Sequence, residues 1–208
     1  MQIKNLFLVL TTASIWGASF LMIKYSLDEL NPSDIAIYRI VIGAIFINIF
    51  VRSKKNIEKE DHLKVFILSF FWMALPFYMF GLAEKTITSS LAGLINGSTP
   101  IFVAFIAVIF YKLKVTNIQL IYIITGFIGV GLINPSGGLN DITFNIGSLY
   151  ALIASISYGV AINIVEPLIK KYDSLIVLKI VMRYATLLSL LMFGLSLIHI
   201  SEPTRLRR

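Results

Sequence analysis

Apolar residues recur along the chain in blocks about 20 long, separated by short polar stretches, and a helix needs about that many to cross a hydrocarbon layer about 30 Å thick. Seven segments qualify or nearly qualify: 6 to 27, 34 to 51, 65 to 83, 87 to 111, 118 to 134, 146 to 168 and 175 to 194. The first has the apolarity of a secretory leader. It is long, ends without a small-residue cleavage pattern and is followed by further spans, so it reads as a retained helix. The pattern predicts an all-α, polytopic membrane helix bundle.

Composition agrees. Of the 208 residues, 57% are hydrophobic and only 14% are charged, against roughly a quarter charged in soluble domains. A single core of this length cannot hide so much apolar surface, so lipid must solvate much of it. With no cysteine, and with His62 and His199 as the two histidines, thiolate and histidine-rich metal sites are excluded. No cofactor is expected.

The net charge of +7 is distributed in short clusters between the apolar runs, which points to membrane orientation and away from nucleic acid. With the N-terminus inside, the inner segments hold ten basic residues: Lys4, Arg52, Lys54, Lys55, Lys59, Lys64, Lys112, Lys114, Lys170 and Lys171. The outer side holds two, Lys24 and Lys85, and the loop at 135 to 145 (PSGGLNDITFN) holds none. That excess predicts a cytoplasmic N-terminus.

The chain also resembles itself. TASIWG at 12 to 17 aligns with ASISYG at 154 to 159, which sets Trp16-Gly17 on Tyr158-Gly159. In the next helix, after a two-residue shift, RIVIGAIF from Arg39 falls on KIVMRYAT from Lys179. The copies are five spans apart. An odd offset makes the second copy enter the membrane from the opposite side, the inverted-repeat arrangement of many secondary transporters.

Trp16-Gly17-Ala18-Ser19-Phe20, Arg39, the stretch Ala92 through Phe102 (AGLINGSTPIF), Gly126, Gly129 and Gly131, and Gly147 through Tyr158 together resemble the drug/metabolite transporter superfamily, EamA type. The resemblance implies ten helices in two five-helix repeats around a central substrate cavity, worked by alternating access. On that frame residues 1–134 are the first repeat, 135–145 an outer loop, and 146–194 the first two helices of an inverted second repeat. It also implies a bacterial cytoplasmic membrane and efflux of an amino acid or related small metabolite, with an organic-anion or drug exporter of the same fold as the alternative. Residues 195 to 205 (LSLIHISEPTR) can be encoded by a transposase-end sequencing adapter. Native sequence is therefore expected to stop near Gly194, with a genuine exposed tail as the other reading.

At 1.5 Å per residue, Trp16, residues 96 to 100, Tyr158 and Arg183 fall near the bilayer midplane, where inverted-repeat transporters bind substrate. Trp16 and Tyr158 are candidates for opposite aromatic walls, or for helix packing beside Gly17 and Gly159. Pro100 cannot donate to the carbonyl of Asn96. Asn96, Ser98 and Thr99 then either face a polar ligand or satisfy a proline kink. Ser19 joins the candidates through the resemblance. Arg39, about 8 Å deep, reads first as a structural or gating charge, whereas Arg183 is balanced between structure and substrate. No carboxylate lies deep in the seven expected spans, so the counter-charge for both arginines is sought in further helices, water or an anionic substrate.

The partners implied are the bilayer and a small-molecule substrate, with a coupling proton left open, no nucleic acid, and the oligomeric state unread. Other classes lack support. The sequence has no HExxH, GxSxG or P-loop pattern and no filter-like segment, so an intramembrane enzyme or channel is disfavoured. A seven-helix receptor matches the span count but not the orientation.

Overall fold

The computed structural model describes residues 3–52, 56–112 and 145–199, with 116–119, 121, 124, 125 and 128 between them. Among the described residues the regular structure is helical throughout, and six helical segments are long and apolar enough to cross a membrane. These match the first four, the sixth and the seventh expected spans. Most of the fifth, 118 to 134, and nearly all of the loop at 135 to 145 lie outside the described residues.

The first two spans are α1 (Ile3–Ser26) and α2 (Pro32–Phe50). Helix α2 starts where Asn31 and Asp34 form a capping box and Pro32 occupies the first turn, so its orphan amides are met by side chains and its ring costs no hydrogen bond. The third and fourth spans are each broken, although the apolar pattern predicts single helices. The third consists of α3 (His62–Ser69) and α4 (Leu75–Glu84), joined by a π-helical turn at Phe70–Ala74. The fourth consists of α5 (Ser89–Asn96) and α6 (Thr99–Tyr111), joined through Gly97 and Ser98. The last two are α7 (Ile146–Lys171) and α8 (Ser174–His199).

Proline explains both breaks. Pro76 cannot donate to the carbonyl four residues before it, and the helix slips so that Leu75 N–H donates to Phe70 O, five residues back. In that register the partner of Phe71 O is Pro76, which has no N–H. The Ser157 hydroxyl of α7 donates to Phe71 O instead, at 2.7 Å. At the second break the Ile95 carbonyl accepts from the Ser98 amide at 3.0 Å, the Ser98 hydroxyl at 2.5 Å and the Ser155 hydroxyl of α7 at 3.1 Å. A third α7 side chain, Asn163, donates to Val103 O at 3.0 Å.

The buried apolar residues form two clusters. One gathers Ile40, Leu68, Val177 and Val181; the other gathers Phe20, Ile23, Phe80 and Ile95, and Trp72 packs against both. Helices α2 and α8, the pair that the internal repeat aligns, pack antiparallel. Gly43 lies against Met182, Asn48 accepts from Arg183 Nε at 3.0 Å, and Lys179 Nζ donates to Val51 O at 2.5 Å. Beyond them the turn between α7 and α8 is tied to the connection before α3. Asp61 accepts from Lys171 and Lys64, each at 2.9 Å, and from the Tyr172 hydroxyl at 2.7 Å.

The two repeat-related glycines differ. A Cβ on Gly159 would stand 2.8 Å from Phe102 Cβ and 3.0 Å from its backbone, whereas one on Gly17 meets nothing within 4 Å. Close helix approach therefore explains Gly159 and not Gly17. Thermal unfolding in detergent should show Gly159→Val losing roughly 1–3 kcal/mol through overpacking, while Gly17→Ala stays within about 1 kcal/mol of the parent. Ser157→Ala, which strands the Phe71 carbonyl, should cost about 1–2 kcal/mol by the same measurement; an unchanged melting curve would show that the π turn closes without α7.

Candidate functional site

Residues three and four apart share a helix face, and on α1 this places Thr12, Trp16, Ser19, Phe20 and Ile23 in one stripe. On α4 the same spacing aligns Phe77, Phe80 and Glu84. These two stripes meet Arg39 of α2 and Tyr158 of α7 around a cavity of about 300 Å³.

Its wall is a chain of aromatic contacts. Trp16 meets Tyr158 edge-on at 6.1 Å between ring centroids, Tyr158 stacks on Phe80 at 6.1 Å, and Phe80 meets Phe20 edge-on at 5.1 Å. Such arrangements suit the ring quadrupoles. Trp16 and Tyr158, expected as opposite walls or as packing residues, are in contact and line the same space. Tyr158 is buried, but Trp16 is half exposed.

Arg39 supplies the charge. Its guanidinium carbon lies 4.1 Å from the centroid of the Phe77 ring, a cation–π contact that partly replaces lost hydration. It also couples electrostatically to Glu84 and to Tyr158. Ser19 lines the cavity, with its hydroxyl donating to Trp16 O at 2.7 Å.

The remaining candidates lie elsewhere. Asn96 borders a second, shallower cavity of about 500 Å³ on the other side of Trp16 and Phe20, beside Ser89 and Gly93. Ser98 is buried at the helix break, with its hydroxyl on Ile95 O. Thr99 Oγ1 donates to Asn96 Oδ1 at 3.5 Å, and Pro100 is exposed. Arg183 is exposed on α8, where it donates to Asn48, and borders neither cavity.

Sequence reasoning passed over Phe77, Phe80 and Glu84. The phenylalanines were indistinguishable from lipid-facing ones until Arg39 was placed beside them, although their spacing with Glu84 on one helix face was available. Glu84 stood one residue beyond the expected third span. In the structure it is fully buried within the protein, at the last residue of that span.

The family model of EamA-like transporters matches residues 3–134. An uncharacterized transporter of Archaeoglobus fulgidus is 27% identical over 170 residues, covering 82% of this chain and 60% of its own length. The uncharacterized transporters YdfC and YoaV of Bacillus subtilis are 27% and 24% identical, covering 76% and 77% of this chain and 52% and 56% of their own lengths. The chain thus spans between half and three fifths of these relatives. The match over residues 3–134, with the six apolar helical segments, makes this chain a multi-pass membrane protein that belongs to the EamA-like transporter family.

Proposed function

We propose that the chain forms the substrate-binding part of a secondary-active permease for small metabolites that carry a carboxylate on an apolar or aromatic body, amino acids included. The observation that carries this reading is Arg39, a guanidinium set on Phe77 at the edge of an aromatic cavity. A charge in the membrane costs several kcal/mol unless it is paired or faces water, and an anionic ligand supplies both a counter-charge and hydrogen-bond acceptors. The aromatic wall formed by Trp16, Phe80 and Tyr158 holds the ligand's apolar body.

Alternating access supplies the transport step, with one inverted repeat rocking against the other around the cavity. The antiparallel packing of α2 on α8 supports that symmetry. The excess of basic residues supports a cytoplasmic N-terminus and a cytoplasmic Asp61–Lys171 cluster, and the family resemblance supports a bacterial inner membrane. A cationic-drug exporter is the weaker reading, because Arg39 would repel its substrate.

Benzoate is a suitable test ligand, and the chain in lipid nanodiscs is a suitable preparation. Benzoate should quench the fluorescence of Trp16, read in a Trp72→Phe background, and benzamide should not. Arg39→Gln should weaken benzoate binding at least tenfold, since a hydrogen bond to a charged group contributes roughly 1.5–3 kcal/mol. Equal binding of benzoate and benzamide, or unchanged affinity in Arg39→Gln, would remove the anion reading.

A further inference from the structure

We propose that Glu84 is a proton-binding site coupled to the cavity, so that a proton on Glu84 and an anion at Arg39 bind together; the coupling rests on the anion reading of the cavity given above. Glu84 is completely buried at the end of α4. Its Oε2 accepts from the Ser89 hydroxyl at 2.7 Å. Its Oε1 is buried with no hydrogen-bond partner among the described residues. A buried carboxylate with an unmet oxygen is costly in its ionised form, and that oxygen is where a proton can sit.

The groups facing Glu84 are arranged to make its charge conditional. From α1, Lys24 Nζ does not bridge to the carboxylate but donates to the backbone carbonyls of Glu84 and Ile87, at 2.5 and 3.2 Å. The ammonium therefore caps the end of α4 and lies close to Glu84 without sealing it. From α2, Arg39 couples electrostatically to Glu84. From α5, Ser89 donates to the carboxylate and also to Phe20 O at 3.3 Å, tying the group to the cavity-lining stripe of α1. Tyr158 of α7 lines the cavity together with Arg39. Glu84 also follows Phe80 by one turn on the same face of α4, so it lies one turn along that helix from the cavity wall.

Charge balance sets the sign of the coupling. With the cavity empty, an ionised Glu84 lies in the field of Arg39, whose guanidinium rests on Phe77 of the same helix face. An arriving carboxylate competes with Glu84 for that guanidinium, and the resulting pair of buried anions is relieved when water delivers a proton to Glu84 Oε1. One anion and one proton are then bound, with no net change in the charge of the site. A carrier that binds both together runs with the proton gradient, inward across an energised membrane, whereas the family resemblance implies efflux.

Three measurements on the chain in nanodiscs test this. Infrared difference spectra between acid and alkaline pH should show the carbonyl stretch of a protonated carboxyl group that is missing in Glu84→Gln; a band absent from the parent, or shared by the variant, overturns the proposal. Benzoate affinity should fall toward about tenfold per pH unit as pH rises, as linkage to one proton requires, and should be flat in Glu84→Gln. A flat profile in the parent, with binding still dependent on Arg39, overturns the coupling and leaves the cavity reading intact. Absence of benzoate binding at every pH overturns the cavity reading, and the infrared result then decides on Glu84 alone. Adding benzoate to the parent chain in weak buffer needs no variant: it should take up about one proton per anion bound, and binding without uptake overturns the coupling.

Discussion

Lipid offers no hydrogen bonds, so every interruption of a membrane helix has to be closed by protein, and in this bundle that work falls on α7. Pro76 leaves the Phe71 carbonyl without its helical partner, and at the Gly97–Ser98 break the Ile95 carbonyl takes a further donor from outside its own span. Ser157 and Ser155 reach those carbonyls from α7, and Asn163 bonds Val103 on the next element. A single helix therefore fixes the third and fourth spans relative to each other. The same contacts aim the aromatic side chain of α7. Ser157 is bonded to Phe71 and Gly159 is pressed against Phe102, so the residue between them, Tyr158, projects on the remaining face, toward Trp16 and Phe80.

Cations in the bundle are handled in two ways. Lys24 and Lys179 reach the carbonyls at helix ends, on Glu84, Ile87 and Val51, where the ends of helix dipoles welcome positive charge. Arg39 is further in, and its planar guanidinium lies on the Phe77 ring instead. A ring face offsets part of the desolvation but accepts no N–H bond, so the guanidinium keeps donors for a ligand. On the proposed reading this is why Arg39 meets the ligand while the lysines cap helix ends.

Much of this was written in the sequence at the level of spans and pairs. Six of the seven apolar blocks correspond to described helices, and the self-alignment that set Trp16 on Tyr158 picked out two rings that touch. The proline breaks were half legible. Pro100 stood in the predicted kink, yet the carbonyl taken up by α7 is that of Ile95, which stands at the parting of the helix at Gly97–Ser98. Pro76 gave no warning, since a π turn leaves the apolar pattern intact and shows only in the backbone register. Arg183 and Arg39 are alike in the sequence as arginines within apolar runs. What separates them is neighbours from distant segments, Asn48 for one and Phe77 with Glu84 for the other. Depth along a single helix cannot report that.

The two ends of the bundle are closed by different chemistry, and the difference bears on how such a carrier moves. At one end Lys171 bridges Glu58 and Asp61 across the connection before α3 and the turn after α7. The side chains of Lys171 and Glu58 are 46% and 59% exposed, so water can replace that bond at little cost, whereas Asp61 is buried and holds Lys171 together with Lys64 and Tyr172. At the other end Glu84 is buried and held by Ser89, with Lys24 on the backbone beside it. Parting that end admits water, so an ionised Glu84 gains solvation that it lacks in the closed arrangement, whereas a neutral Glu84 gains little. On the proposed mechanism the ionic cluster before α3 is thus a latch held by buried Asp61, and the Glu84 end is a latch whose release depends on its proton. Protonation and ligand binding then act on the same barrier, because both change what Arg39 is paired with.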